Sequence, residues 1–343
     1  MSQHSRPTMR AVVLSKPRHA SVIDVEVPEV DADDVLIEVA ATGVCGTDVA
    51  VFRGDYPVRP PVTMGHEFSG TVAAVGRDVV GLAVGERVLG EGSWETDASD
   101  HPDAVERLGR SLDGSFATFV RVPQRAVHRL PDAVSFLEAQ SASTVATAIH
   151  AADRAGSIEN KRVAVVGPGH AGLLLMEVVR DRGPAHLTML GTRRSRLQMA
   201  SELGAARVVD VRADGYRAEM QELQGSYDLV FEASGTAQGL AACLELTRFG
   251  GTVIVYGIIS GDLAGVPGSA FYAKELNVLG SNGGDDDFAR ALNLLAEDRV
   301  HVLPVVTSVL PLDDAPAALT RIADRATEDV RVVFEPAATG APA

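Results

Sequence analysis

The chain has 343 residues, of which 46% are hydrophobic and 22% are charged, a composition typical of a globular protein with two domains. No apolar segment reaches the roughly 20 residues needed to cross a bilayer, which argues against a membrane protein. The net charge of −15 opposes nucleic-acid binding. The two cysteines lie far apart and residues 1–8 lack the apolar core of a secretory signal, so a cytoplasmic protein is expected.

The first 130 residues are predicted to form a β-rich domain. Glycine, proline and aspartate clusters separate short apolar segments, which are predicted to be strands at Ala11–Leu14, Val35–Val39, Gly70–Val75 and Arg87–Leu89. Short strands with frequent turns favour a compact, partly closed β-domain. The polar, acidic residues 92–114 interrupt this pattern and are predicted to form a lobe, where Trp94 either lines a substrate cleft or anchors the lobe.

The second half of the chain alternates between predicted helices and strands. A helix is expected over Phe136–Ala152, and the buried strand Arg162–Val166 then begins the alternation. This order predicts a doubly wound parallel sheet, and therefore an α/β protein. A last strand, Val330–Phe334, is expected to return to the first domain. The predicted domains are 1–152, 153–290 and a returning segment, 291–343.

A glycine-rich loop follows the Arg162–Val166 strand. Gly167 permits a tight turn, Gly169 lets the backbone approach a pyrophosphate, and Gly172 allows the next helix to pack against the strand. The helix that starts there directs its free N–H groups at the phosphates. The loop therefore predicts dinucleotide binding, with His170 and Ala171 as its remaining members.

The end of the next strand predicts which dinucleotide is preferred. An NAD site usually has an acidic residue here that accepts a hydrogen bond from the ribose 2′-hydroxyl. This chain has Gly191, followed by Thr192, Arg193 and Arg194. Guanidinium groups can pair with a 2′-phosphate, so NADP is predicted over NAD.

Two glycine-bracketed turns of the first domain carry potential metal ligands. Cys45 and Asp48 lie in one turn, and His66 and Glu67 lie in the other. Thiolate, imidazole and carboxylate are ligands of catalytic zinc sites that keep one position open. A lone cysteine or histidine is usually structural, but the combination predicts a zinc site.

The two predicted sites belong to a longer series of short motifs along the chain. They are GVCGTD at 43–48, GHEFSG at 65–70, GERVLG at 85–90, GSFATFV at 114–120, EASG at 232–235 and GGTVIVYG at 250–257. In their order and spacing the chain resembles the zinc-dependent medium-chain alcohol and polyol dehydrogenases over nearly its whole length. The resemblance implies a GroES-like catalytic domain, a Rossmann domain and an active site in the cleft between them.

The resemblance also implies residue roles. Cys45 and His66 match zinc ligands, Glu67 matches an acid that is itself a ligand in the polyol branch, and Thr47 matches the hydroxyl that takes the substrate proton. Asp48 and Arg331 match residues that support the ligands. The matching cofactor contacts are Thr147, Ala233, Ser234 and Gly257.

Three departures from the family pattern affect these roles. Ser143 lies where a further zinc ligand, Cys or Glu, is usual, so the zinc shell is predicted to be Cys45, His66, Glu67 and a water. Ala50 and Val51 lie where many members have a proton-relaying histidine. The four cysteines of a structural zinc are absent, so a single catalytic zinc is expected.

These observations predict an oxidoreductase that moves a hydride between NADP(H), or NAD(H), and a secondary alcohol or ketone. A polyol, a sugar or an (amino)cyclitol is the expected small-molecule substrate, and a homodimer or homotetramer is the expected assembly. A zinc-free reductase of activated double bonds and a non-catalytic cofactor-binding protein are the alternatives. Zinc analysis and nicotinamide absorbance with alcohols or ketones distinguish them.

Overall fold

The computed structural model describes residues 6–95, 105–259, 261–284 and 287–336. The chain divides into two units, one formed by Met1–Ser143 with Val306–Ala343 and the other by Thr144–Val305. None of the described helices is long and apolar enough to span a bilayer.

The first unit is built from β-sheets with short helices. Its strands are β1 (Thr8–Lys16), β2 (His19–Glu26), β3 (Asp34–Gly43), β4 (Val62–Thr63), β5 (Phe68–Val75), β6 (Arg87–Gly90), β7 (Ser93–Glu95), β8 (Val105–Arg107), β9 (Phe119–Pro123), β10 (Val127–Arg129), β17 (Val306–Pro311) and β18 (Arg331–Glu335). Its helices are α1 (Gly46–Arg53), α2 (Phe136–Ala139) and α10 (Ala315–Ala323).

Strand β3 is the centre of this unit. The largest sheet has the order β10-β6-β5-β3-β18-β17, and β9 also pairs with β3. Val35, Ile37 and Val39 of β3 are buried, which matches their apolar, β-branched character. Because β18 pairs antiparallel with β3, the end of the chain adds a strand beside the residues that follow Gly43.

The second unit is a parallel sheet with helical connections. Its strands are β11 (Arg162–Val166), β12 (His186–Gly191), β13 (Arg207–Asp210), β14 (Tyr227–Glu232), β15 (Thr247–Val255) and β16 (Asn277–Gly280). Its helices are α3 (Ala142–Arg154, from Thr144 onward), α4 (His170–Asp181), α5 (Arg194–Glu202), α6 (Tyr216–Leu223), α7 (Ala237–Leu246), α8 (Ser269–Ala273) and α9 (Phe288–Ala296).

The strand order β13-β12-β11-β14-β15-β16 is that of the Rossmann fold. Every pairing in this sheet is parallel, which confirms the predicted doubly wound α/β architecture. Parallel connections are right-handed, so the helices on the two sides of β11 cover opposite faces of the sheet. Both faces are therefore buried, which explains the continuous apolar sequence of β11.

Two sequence-based boundaries differ from the structure. The helix expected over Phe136–Ala152 is two helices, α2 and α3, because the chain turns at Gln140, whose side-chain Nε2 donates 3.0 Å to the Leu137 carbonyl. The unit boundaries lie at 143 and 305 rather than at 152 and 290. Contacts of α3 within the second unit account for the first shift: Arg182 donates 3.3 Å to the Ile149 carbonyl, and Arg290 pairs with Asp153.

The lobe is anchored by its tryptophan. Trp94 is 7% exposed, packs with the core residues around β3 and donates from Nε1 to Glu106 at 2.8 Å. Of the two roles open to Trp94, these contacts favour the anchor. Residues 96–104, with the acidic Asp97, Asp100 and Asp103, lie outside the described part of the chain.

Candidate active site

Strand pairing brings the two candidate metal-binding turns together. Cys45 follows β3, and His66 and Glu67 precede β5. Strands β3 and β5 are antiparallel partners with Thr42 opposite Phe68, and the Gly43 N–H donates 2.9 Å to the Glu67 carbonyl. Residues more than 20 positions apart in sequence thus become neighbours.

Cys45, His66 and Glu67 form a group that fits a zinc ion. One ligand atom from each residue lies within 4.8 Å of the others. Among the described residues, no fourth histidine, cysteine, aspartate or glutamate belongs to this group. Three protein ligands with one open position are typical of a catalytic rather than a structural zinc site.

Asp48 determines which nitrogen of His66 faces the metal position. His66 Nδ1 lies 3.0 Å from Asp48 Oδ1, and the other carboxylate oxygen accepts the Cys45 N–H at 2.8 Å. A carboxylate only accepts, so Nδ1 carries the proton and Nε2 is left as the ligand atom. Asp48 is 2% exposed and lies in the first turn of α1, so one carboxylate orients both ligand-bearing turns.

The same contacts set the protonation of His66. Burial lowers its pKa, but the Asp48 carboxylate and the Cys45 sulfur outweigh burial and hold the pKa well above its usual value. A metal ion that binds His66 would therefore compete with the proton that this raised pKa favours.

A buried arginine from the end of the chain holds Glu67. Arg331 is fully buried, and its Nη2 donates to Glu67 Oε2, which belongs to a residue that is only 5% exposed. Its other nitrogens donate 2.9 Å to Gln140 Oε1 and 2.9 Å to the Val44 carbonyl. The guanidinium thus has partners on three sides, which a buried charge requires.

Gly43 provides the space for this guanidinium. A Cβ atom at Gly43 would lie 2.0 Å from Arg331 Nη2 and 2.1 Å from Gln140 Oε1. At Gly65, directly before His66, a glycine is favoured for a different reason: its φ of +93° lies in the left-handed region. Sequence reasoning missed Gln140 and the role of Gly43; the only signal was the glycine of the GVCGTD motif.

The other predicted residues of the first unit lie nearby or at its boundary. Thr47 Oγ1 is 3.9 Å from Cys45 Sγ, so the hydroxyl lies beside the metal group. Ser143 is half-buried in the first turn of α3, and Ala50 and Val51 lie within α1.

The glycine-rich loop has the geometry expected for a dinucleotide. Gly167 has φ +114°, and a Cβ there would lie 2.6 Å from the Ser234 nitrogen. A Cβ on Gly172 would lie 1.9 Å from the Gly167 carbonyl oxygen, whereas nothing lies within 4 Å of one on Gly169. The first and third glycines therefore serve close packing, and the second leaves open space before α4, which begins with His170 and Ala171.

Close packing also explains why a glycine occupies position 191. A Cβ at this position would lie 2.4 Å from Pro168 Cγ, so an acidic residue here would collide with the glycine-rich loop. Thr192 is exposed, and Arg193 precedes α5. Arg194 is 85% exposed on its side chain and donates 3.1 Å to Asp210.

A buried glutamate organises the loops that hold the remaining predicted cofactor contacts. Glu232 is fully buried, and Oε1 accepts the Ser234 N–H at 2.8 Å. Burial raises its pKa, and hydrogen bonds from Ser234 and Gly235 oppose the shift. The Glu232 carbonyl accepts the Gly257 N–H at 2.8 Å, and the Ala233 N–H donates to Val166 at 2.8 Å. The EASG motif contained this glutamate, but the sequence did not indicate its role.

Thr147 is held by a tyrosine that the sequence did not single out. Its hydroxyl donates 2.9 Å to the Thr144 carbonyl and lies 2.8 Å from Tyr256 Oη. Tyr256 directly follows β15. Its hydroxyl therefore donates to Thr147, which fixes the orientation of that side chain.

Comparison with protein families and known proteins agrees with this arrangement. Residues 31–132 match the alcohol dehydrogenase GroES-like domain, and residues 171–297 match the zinc-binding dehydrogenase domain. The chain is 30% identical to D-arabitol-phosphate dehydrogenase of Enterococcus avium, over 96% of this chain and 97% of that protein. It is also 30% identical to a sorbitol dehydrogenase of Halalkalibacterium halodurans, over 93% and 96%.

Solved structures show the same fold. A protein of Sinorhizobium meliloti described as a zinc-binding dehydrogenase and bound to NADP is 28% identical, with a TM-score of 0.90 over 96% of this chain and 100% of that one. The 2R,3R-butanediol dehydrogenase of Bacillus subtilis is 28% identical, with a TM-score of 0.86 over 96% and 99%. The chain therefore belongs to the zinc-dependent medium-chain dehydrogenases, and it is an oxidoreductase that acts on CH–OH groups.

Proposed function

We propose that the protein oxidises a secondary alcohol of a polyol, a sugar or an (amino)cyclitol with NADP, and reduces the ketone in reverse, at a single catalytic zinc. The group of Cys45, His66 and Glu67 carries this proposal, because it offers three ligands and one open position. The sorbitol and arabitol-phosphate dehydrogenases among the relatives support a polyhydroxylated substrate.

The residues around this group have distinct tasks in the proposed reaction. Zinc held by Cys45, His66 and Glu67 would act as a Lewis acid that lowers the pKa of the substrate hydroxyl. Thr47 would accept the hydroxyl proton while passing its own proton to water or to the cofactor ribose, consistent with its position beside the Cys45 sulfur. Asp48 keeps His66 Nε2 directed at the metal, and Arg331 holds Glu67. NADP would supply the hydride acceptor, and the glycine-rich loop and Thr147 would hold it in place.

A screen of secondary alcohols and polyols with NADP and NAD in parallel tests this function. It is done on protein whose zinc content and solution mass have been measured. We expect about one zinc per chain, nicotinamide reduction with at least one polyol, and loss of turnover after treatment with a strong chelator. Full activity of metal-free protein, or no turnover with any compound, would contradict the proposal and favour the zinc-free reductase or the non-catalytic alternative.

The proposed preference for NADP over NAD can be tested at Arg193 and Arg194. Replacing Arg193 and Arg194 together with alanine is expected to weaken NADP binding about ten- to a hundred-fold, because charge-assisted hydrogen bonds to the 2′-phosphate are lost. NAD lacks that phosphate, so its dissociation constant should change about two-fold at most. Fluorescence titration with both cofactors measures this.

The control for this pair is Arg217→Ala. Arg217 is exposed on α6 in the same unit, so its removal changes the charge without altering the Arg193–Arg194 segment. An equal loss of NAD and NADP affinity in the double variant would mean that the arginines support the fold of the loop and do not recognise the phosphate.

We also propose a cytoplasmic homodimer or homotetramer. Both cysteines are unpaired, which suits a reducing compartment. Strand β16 is the edge of the parallel sheet, and Tyr272 and Ile258 of the same unit are 91% and 70% exposed. An edge strand beside apolar side chains favours association between copies, and a monomeric mass would contradict this.

A further inference from the structure

A tight turn directly after β8 carries Arg110, an arginine that has no role in the proposed mechanism. The Arg107 carbonyl accepts N–H groups from Ser111 at 3.0 Å and Leu112 at 3.1 Å, and the Arg107 N–H donates 2.9 Å to Ser111 Oγ. Gly109 supplies the left-handed conformation of this turn, with φ +69°. Arg110, the next residue, is therefore attached to a well-defined backbone.

This turn packs against the segment that carries His66. A Cβ on Gly109 would lie 2.9 Å from the nitrogen of Gly65, the residue before His66. At the base of the lobe, a Cβ on Gly92 would lie 2.5 Å from the His66 carbonyl oxygen. The backbone of Arg110 thus lies next to the candidate metal-binding turn, within the same unit.

Among the described residues, the Arg110 guanidinium contacts an aromatic ring and no carboxylate. Its Cζ is 4.1 Å from the centroid of the Tyr56 ring, a cation–π contact. Its Nε is buried without an accepting atom in the described part of the chain. Within the same residues no carboxylate is among the groups that shift the pKa of Arg110, although acidic residues outnumber basic ones by 46 to 31 in the sequence.

Within the described part of the chain, the groups around Arg110 compensate its charge poorly. Desolvation lowers the pKa of Arg110, Tyr56 partly opposes the shift, and repulsion from Arg107 adds to it. A half-buried guanidinium with an unused donor and a second arginine nearby is a suitable partner for an anion. A bound anion would pair with the guanidinium and offset part of the desolvation.

We propose that Arg110, stacked on Tyr56, recognises an anionic group of the substrate, so that the alcohol oxidised at the metal carries a phosphate or a carboxylate. The proposal rests on the proposed function and narrows its substrate class. Local pairing with Arg110 is needed because the overall charge of −15 disfavours an anionic ligand.

Binding to the zinc-loaded, NADPH-bound protein tests this without turnover. The probes are D-arabitol phosphate, gluconate and neutral D-arabitol, measured by calorimetry. We expect one of the two anionic probes to bind at least about ten-fold more tightly than D-arabitol, and Arg110→Gln to weaken that probe about ten- to a hundred-fold. Arg110→Lys should restore part of the affinity, because it keeps the charge but not the planar fork.

The control is Arg77→Gln, an exposed arginine of the same unit, which should leave all three affinities unchanged. NADPH binding and the melting temperature of Arg110→Gln verify that it is folded. Equal affinity of wild type for all three probes, or equal weakening of all three in Arg110→Gln, would overturn the inference. Neither result affects the proposed function, which fails only if no polyol, charged or neutral, is oxidised.

Discussion

Cys45→Ser is expected to abolish turnover while leaving dinucleotide binding intact. A neutral hydroxyl is a poor zinc ligand, so zinc content should fall well below one per chain. Loss of Lewis-acid stabilisation worth several kcal/mol predicts a fall in kcat/KM of about three orders of magnitude or more. The glycine-rich loop lies in the other unit, so the NADP dissociation constant should change about two-fold at most. Metal analysis, steady-state kinetics and fluorescence titration measure these quantities.

Cys243→Ala is the matched control, because it removes the other thiol of the chain. Cys243 is fully buried in the core of the parallel sheet, where burial raises its pKa well above the usual value and keeps the sulfur as an uncharged thiol. Zinc content and kcat/KM should remain at wild-type levels in this variant. Full activity of a metal-free Cys45→Ser protein would show that the thiolate has no part in catalysis.

Arg331→Met is expected to cost stability and metal affinity together. Removing one partner of a buried ion pair leaves Glu67 uncompensated, which typically costs about 3–5 kcal/mol of unfolding free energy. Residues that orient metal ligands typically contribute about ten- to a hundred-fold in affinity, so zinc binding should weaken by that factor. Denaturant unfolding and competition with a zinc chelator report the two effects separately.

Two further variants separate the specific role of Arg331 from a general effect of removing an arginine. Arg331→Lys keeps the positive charge but cannot reach Glu67, Gln140 and the Val44 carbonyl at once, so an intermediate loss is expected. Arg77→Met removes an exposed arginine and should leave stability and zinc affinity almost unchanged. Wild-type stability and zinc affinity in Arg331→Met would contradict the assignment of Arg331 as the residue that positions Glu67.

Much of the fold could be predicted because local patterns correspond directly to its elements. The predicted phosphate-binding backbone is formed by contiguous residues: the apolar strand Arg162–Val166, the glycines at 167, 169 and 172, and the helix that follows. Its conformation is therefore a local property of the sequence. The α/β class and the parallel sheet followed from strand–helix alternation. The helix boundary was less accurate, because Gln140, where the chain turns, is held by Arg331, 191 positions away.

The sequence by itself determined the family and predicted the candidate ligand types and the dinucleotide loop, because each depends on residues a few positions apart. Only the tertiary structure decided how these residues cooperate. Arg331 meets Glu67 because β18 pairs with β3, an interaction across 264 positions that no local pattern encodes. Arg110 becomes a candidate anion site only because its turn packs beside Gly65 and its guanidinium stacks on Tyr56. Burial and charge pairing between distant segments are set by packing, and they determine which side chains become functional.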